Sequence, residues 1–280
     1  MKTFKNRVAA ITGASSGIGR ALALELAERG CHLAISSNSN QKALAETAEL
    51  AGKFGVKVTL QKVDVAQREQ VHAWADQVVA DHGKVHLIVN NAGVAFSGTV
   101  DGTEYKDYEW VMGINYWGVV YGTKAFLPHL RAAGEGHVVN ISSVFGLFAQ
   151  PGMSAYNSSK FAVRGFTESL RQELDLERCG VSASCVHPGG VKTNIAASTR
   201  MSESISKVTG GDAANSRKHF ERLLRTTAED AAKAILTGVR RNSRRVLIGI
   251  DAKSADGMQR LLPGMYQGLV TTGMRLIKGR

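Results

Sequence analysis

Cysteine and proline are scarce in this chain, with three of the first and four of the second in 280 residues. Cys31, Cys179 and Cys185 are odd in number and scattered, which gives neither a disulfide framework nor the paired spacing of a metal site. No metal is expected. With so little proline, and no Ser-rich, low-complexity or repeated stretch, no linker divides the chain. Two average domains would fit in this length, but α/β folds of this size are commonly one unit with ample core, so a single domain is expected. No run reaches the roughly 18 apolar residues of a membrane span. Met1–Arg7 leads into the first strand-like segment without the apolar core of a signal peptide, and the cytoplasm is the expected compartment. Acids are outnumbered too, 24 against 35 Lys and Arg, for a formal charge of +11.

What is present is an alternation of strand-like and helix-like segments. Strand patterns occur at Val8–Ile11, His32–Ser36, Val56–Leu60, Val85–Val89, Val138–Ile141, Val181–Val186 and Arg245–Ile250. Helical patterns over Lys42–Lys53, Gln67–Asp81, Thr103–Arg131, Ser154–Arg178 and Ala228–Arg241 separate them. This order predicts an α/β fold, a parallel sheet with helices on both faces. Val56, Val58 and Leu60 alternate with Lys57 and Thr59, as in a half-exposed edge strand, whereas the runs from Val85, Val138 and Val181 are continuously apolar like central strands. The strand ends then gather Gly13, Asp64, Asn91, Ser143 and Pro188 on one rim, where open α/β sheets bind ligands.

Thr12-Gly13-Ala14-Ser15-Ser16-Gly17-Ile18-Gly19 follows the first strand and opens a stretch in which Ile18, Leu22 and Leu26 recur every four residues. Strand, glycine turn and helix in that order suit a dinucleotide. The glycines let the backbone approach a pyrophosphate, and the helix N-terminus attracts its charge. Further on, Tyr156 and Lys160 stand four apart, so in a helix they share a face. A nearby cation would lower the phenol's pKa from about 10 and make it a proton carrier near neutral pH. Such spacing alone is weak, since it recurs by chance on exposed helix faces. Its context strengthens it. Ser143 lies thirteen residues upstream of Tyr156, with Ser142 as its competitor.

In these residues the chain resembles the short-chain dehydrogenase/reductase family, over about residues 5–250. The ordered matches are the Thr12–Gly19 turn, Asp64-Val65, Asn90-Asn91-Ala92-Gly93, Asn115, Ser142-Ser143, Tyr156 with Lys160, and Pro188-Gly189-Gly190-Val191-Lys192-Thr193. The resemblance implies a Rossmann-type doubly wound parallel sheet in one domain, with a substrate lid at about 194–227 and a C-terminal extension at 251–280. It implies an NAD(P)-dependent oxidoreductase acting on a ketone or secondary alcohol. Tyr156 would be the general acid/base and Ser143 would hold the substrate oxygen. Lys160 would tune the tyrosine and bind the nicotinamide ribose, and Asn115 would fix a water linking Lys160 to solvent. The thirteen-residue interval selects Ser143 over Ser142. Gly13, Ser15, Ser16, Gly17, Ile18 and Gly19 would line the pyrophosphate side, Asp64 and Val65 the adenine, and Asn91 with Gly93 the adenosine ribose region. Pro188, Gly189, Val191 and Thr193 would border the nicotinamide. Read without the family, Asp64 could be a strand-ending turn residue, the lesser alternative, and Asn115 a polar interruption of a helix.

Cofactor preference turns on the end of the second strand, where an acid would accept from a ribose 2′-OH. Ser37 occupies that place, with Asn38 and Ser39 beside it and Lys42 beyond, and Ser15-Ser16 carries no base. A polar loop that caps the next helix accounts for these residues as well. The missing carboxylate removes a repulsion from a 2′-phosphate, which favours NADP over NAD. For substrate, Phe145, Phe148 and Phe96 point to a hydrophobic ketone rather than a sugar or carrier-bound acyl chain, while Val144, Leu147 and Val94 read better as core. A 3-oxoacyl or steroid reductase, or a non-catalytic dinucleotide sensor, are alternatives within the same fold.

The charge raises nucleic acid as a partner, through basic clusters at Arg217-Lys218 to Arg225, Arg240–Arg245 and Arg275–Arg280. No nucleic-acid motif accompanies them, and none is expected to bind. The apolar tail from Leu261 to Val270, followed by bases, has the composition of a membrane-surface segment. Closing over the active site or packing on a partner subunit is its preferred role. Tyr116, Trp117, Val120 and Phe126, with Phe161, Val163, Phe166 and Leu170, exceed one core-facing stripe on their helices. That surplus predicts a homodimer or homotetramer, as the family resemblance also implies.

Overall fold

The computed structural model of the protein describes residues 1–195, 197–210 and 224–278. Among these, seven strands form one sheet: β1 (Val8–Thr12), β2 (His32–Ser37), β3 (Val58–Lys62), β4 (Leu87–Asn90), β6 (Gly136–Ile141), β7 (Val181–Pro188) and β9 (Arg245–Ile248). They pair in the order β3-β2-β1-β4-β6-β7-β9, every pair parallel. The chain runs outward from β1 to β3 and then returns to build the other half from β4. The switch point therefore falls between β1 and β4, where Gly13 and Asn91 leave their strands. β5 (Phe96–Ser97) and β8 (Arg200–Met201) form a separate short parallel pair.

β1 shows why both faces must be covered. Ala9 and Ile11 enter a core with α1 (Gly17–Glu28), α2 (Gln41–Gly52) and α8 (Ala228–Arg240). Val8 and Ala10 enter the opposite core, with α3 (Arg68–His82), α5 (Gly118–Ala132) and α6 (Ser154–Glu177). All five residues of the strand are buried, as a central parallel strand requires. In the second core Trp74 of α3 meets Phe126 of α5 edge-on at 5.2 Å, a geometry worth about 0.5–1.5 kcal/mol beyond burial. Polar groups also cross it. Asn90 donates to Asn140 Oδ1 at 2.8 Å and Thr123 Oγ1 at 3.2 Å, and Asn140 donates to Thr167 Oγ1 at 3.0 Å. This ladder ties β4 and β6 to α5 and α6, and each buried group left unpaired would cost about 1–3 kcal/mol.

Three expected elements are corrected. The helix expected over Thr103–Arg131 is broken into α4 (Tyr105–Met112), a π turn at Gly113–Trp117, and α5. The side chain of Asn115, drawn onto the Val94 backbone, sits at the centre of that turn. The edge strand lies outermost, as its alternation predicts, but two residues later than expected, and Leu60 is 48% exposed. The last strand ends at Ile248 because Gly249, at φ +89, turns the chain into a helix. The C-terminal extension is itself helical, α9 (Ile250–Leu261) and α10 (Tyr266–Lys278). Of the expected lid, Ala196 and 211–223 lie outside the described residues. The rest includes α7 (Ser206–Thr209) and β8, which docks beside Phe96, with Arg200 stacked 3.8 Å above the Trp110 ring.

Candidate active site

The glycine turn is built for close approach. Gly13 and Gly17 have φ of +67 and +55, values that side-chain-bearing residues rarely adopt. A Cβ on Gly19 would lie 2.4 Å from the Gly13 carbonyl oxygen, so nothing larger than glycine fits there. The turn is braced from β4. Asn91 donates its amide hydrogens to the carbonyls of Thr12 and Gly13 at 2.9 and 3.2 Å, and Thr12 Oγ1 accepts the N–H groups of Asn91 and Ala92. Asn91, expected at the adenosine ribose, holds the turn with its side-chain amide. Ser16 caps α1 without a side-chain hydrogen bond and is exposed, and the first turn of α1 carries no acid. A free hydroxyl, orphan N–H groups and a positive helix end make this a cradle that an anion fits. Thr193 closes it, since a Cβ on Gly17 would stand 3.1 Å from its methyl group.

The proton-handling residues meet at the ends of β6 and α6. Ser143 Oγ accepts the Phe145 N–H at 3.1 Å, and the Ser143 side chain lies near enough to the Tyr156 phenol to act on its titration. Ser142 is excluded, because its hydroxyl donates to the Lys160 carbonyl at 2.8 Å. Lys160 Nζ donates to the Ile141 carbonyl at 3.0 Å and lies 5.6 Å from the centre of the Tyr156 ring. All three side chains are buried. Gly93 leaves room for them, a Cβ there standing 3.5 Å from Nζ. Behind them, Asn115 accepts the Val94 N–H at 2.8 Å and donates to the Val94 carbonyl and to Ser159 Oγ. Both its amide hydrogens are thereby engaged, so water-fixing does not fall to its side-chain donors.

Electrostatics correct one expectation. Burial pushes the Tyr156 phenol above its ordinary value, and the nearby Ser143 side chain only opposes that rise. Burial also brings Lys160 down to about 8. In both groups desolvation of the charged form is the largest cause. Lys160 still carries its proton at neutral pH.

At the end of β2, Ser15 and Ser37 hydroxyls lie 3.0 Å apart, both buried, with Asn38 exposed beside them. Asn40 caps α2 by accepting from the Ala43 N–H. Asp64 accepts the Ala66 N–H in a tight turn at 3.0 Å, and Val65 packs into the core beneath α5.

A family model described as short chain dehydrogenase matches residues 7–204. The chain belongs to the short-chain dehydrogenase family. It is 49% identical to SadH of Mycobacterium tuberculosis, whose name calls it an oxidoreductase, over 98% of this chain and 97% of that one. A short-chain dehydrogenase from Burkholderia phymatum, solved in complex with NAD, superposes with a TM-score of 0.85 at 30% identity, covering 95% and 97% of the two chains. One from Mycobacterium paratuberculosis, bound to NAD, gives 0.76 at 26% identity over 90% and 99%. This short-chain dehydrogenase is thus an oxidoreductase of a family that binds NAD or NADP.

The apolar residues around Tyr156 differ from those expected. Phe145 meets Tyr156 edge-on at 6.3 Å and Phe148 in a tilted pair at 5.4 Å. Phe96 is 5% exposed and packs with Val111 and Ala155, in a different cluster from Tyr156. Val191, expected beside the nicotinamide, is core, and pairs with Thr226. Ala95, Met153 and Ile195 surround Tyr156 instead. Short apolar residues carry no sequence signal for such a role. Asp251 was also missed. Its carboxylate accepts the Gly190 N–H, and a Cβ on Gly189 would collide with it, so the C-terminal extension braces the Pro188-Gly189-Gly190 loop.

Proposed function

We propose that this protein interconverts a hydrophobic ketone and its secondary alcohol, with Tyr156 as general acid/base. The observation that carries the reading is the buried cluster of Ser143, Tyr156 and Lys160, with Lys160 one helical turn from Tyr156 and its Nζ 5.6 Å from the phenol ring centre. A bound NAD(P) would supply or accept the hydride at its nicotinamide. In reduction, Tyr156 hands its proton to the substrate oxygen, and Ser143 donates a hydrogen bond where negative charge develops. Lys160, protonated below about pH 8, offers the positive charge against which Tyr156 loses its proton. Asn115 keeps the Val94 backbone and Ser159 in place behind them. Any water toward Lys160 would be held by the main chain of the π turn, a distortion common at functional sites.

Gly13, Ser16, Gly17, Ile18 and Gly19 would hold the pyrophosphate, with Ser15, Ser37, Asn38, Asp64 and Val65 on the adenosine side. Gly93, Lys160, Pro188, Gly189 and Thr193 would lie toward the nicotinamide. We favour NADP. Ser37 has no carboxylate beside it in Ser37–Asn40, and Lys62 is its register partner on β3, which supports a 2′-phosphate. The apolar wall of Ala95, Phe145, Phe148, Met153 and Ile195 supports a hydrophobic substrate, and residues 194–227 would be its lid. A screen at 340 nm with NADPH and NADH against aliphatic, aromatic and alicyclic ketones tests the reading. Turnover of apolar ketones is expected; dinucleotide binding with no turnover across the panel would make the protein a sensor.

A further inference from the structure

Helix α10 carries apolar residues on two adjacent faces. Tyr266, Val270 and Met274, spaced by four, form the inner one. Tyr266 is buried, its hydroxyl accepts the Ala149 N–H at 3.3 Å, and its ring meets Phe148 edge-on at 6.1 Å. Met265, Leu269 and Leu276, at i, i+4 and i+11, share the neighbouring face. These three are 71%, 56% and 69% exposed, and Leu261 at the end of α9 is 82% exposed. Four large apolar side chains on one short stretch form a patch rather than the scattered exposure that needs no account.

Charge says what the patch fits. From Gly257 to Arg280 there is no acidic residue, against Arg260, Arg275, Lys278 and Arg280. Arg260 is paired with Asp256, while Arg275 has no ion-pair partner among the described residues. A two-fold contact with a second copy would set this face against itself and bring like charges together. An anionic surface with an apolar interior answers both features, since helices with apolar and cationic sides lie in the headgroup boundary.

We propose that the α9–α10 face binds an anionic membrane surface, with Met265, Leu269 and Leu276 entering the headgroup–acyl boundary and Arg275 meeting lipid phosphate. The other side of α10 reaches the substrate wall through Tyr266, Phe148 and Phe145. The catalytic side would thus sit behind the lipid-facing helix, suited to a ketone that partitions into lipid. Binding itself does not depend on the proposed activity.

The test is sedimentation of the full chain with vesicles of equimolar phosphatidylcholine and phosphatidylglycerol, compared with phosphatidylcholine alone. Pelleting is expected with the anionic vesicles at low salt, weakening as salt screens the cations. The double variant Leu269→Ser/Leu276→Ser should bind about tenfold less and melt at the wild-type temperature. Arg275→Glu provides the same readout without touching the apolar face. Failure of the wild type to pellet at low salt would overturn the proposal, as would both variants pelleting like wild type. If the vesicles are ignored and the serine variant lowers the mass in light scattering, the face belongs to a second copy and the proposal fails.

Discussion

The hydroxyls of Ser15 and Ser37 lie 3.0 Å apart, joining the glycine turn to the end of β2, and Lys62 stands in register beside Ser37 on β3. Ser37→Asp would place a carboxylate where a 2′-phosphate is proposed, and like charges at about 4 Å repel by roughly 1–4 kcal/mol. NADPH affinity should fall at least about tenfold, with NADH preserved or improved. Lys62→Ala should weaken NADPH more than NADH. Equal effects of both variants on the two dinucleotides, measured by fluorescence titration, would move the 2′ site elsewhere.

Tyr156→Phe keeps the ring beside Phe145 but removes the proton carrier. Turnover should drop by about 10²–10⁴-fold, with dinucleotide affinity largely retained. Lys160→Ala should damage both. A lysine variant whose turnover and pH profile match wild type, with only dinucleotide binding reduced, would confine Lys160 to ribose binding.

Acid should destabilise the fold through two buried histidines. Burial holds His137 at about 3 and His187 at about 4, below the ordinary value of about 6.5. Between those values the unfolded chain binds protons that the folded chain does not, so the contribution is intact above pH 6.5 and is lost as pH falls. By pH 5 the two together should cost roughly 4 kcal/mol. Urea unfolding at pH 7.5 and 5.0 measures this. His137→Gln, which preserves a partner for Ser184, should remove about half of the difference.

Self-association should use the outer faces of α5 and α6. Val120, Phe126, Val163 and Leu170, counted in the sequence as surplus, are core, whereas Trp117 and Phe161 remain 46% and 38% exposed. Trp117 stacks on Tyr121, and Tyr116 meets Phe166 between the helices. Light scattering should give a homodimer or homotetramer, and Phe161→Glu should shift it toward the 30.0 kDa chain with loss of activity, because Lys160 adjoins Phe161. A fully active monomer at micromolar concentration would refute the assignment.

Short-range physics made much of this legible in the sequence. Only glycine tolerates the backbone of Gly13 and Gly17, and a four-residue helical interval places Tyr156 and Lys160 on one face wherever the helix lies. Apolar continuity likewise marked the central strands before any pairing was known. What the sequence left open were relations between distant segments. Ser142 and Ser143 are chemically alike, and the Lys160 carbonyl excludes the first by engaging its hydroxyl. Phe96 and Phe145 are the same residue type, and β5 turns one into the core while the other faces Tyr156. Asn91 and Asn115 show a place in a motif but not the carbonyls they bind, and Lys62 reaches Ser37 only through strand register. The sign of the Tyr156 shift also depended on burial, because desolvation is set by every chain segment packed around the phenol rather than by its neighbours in sequence.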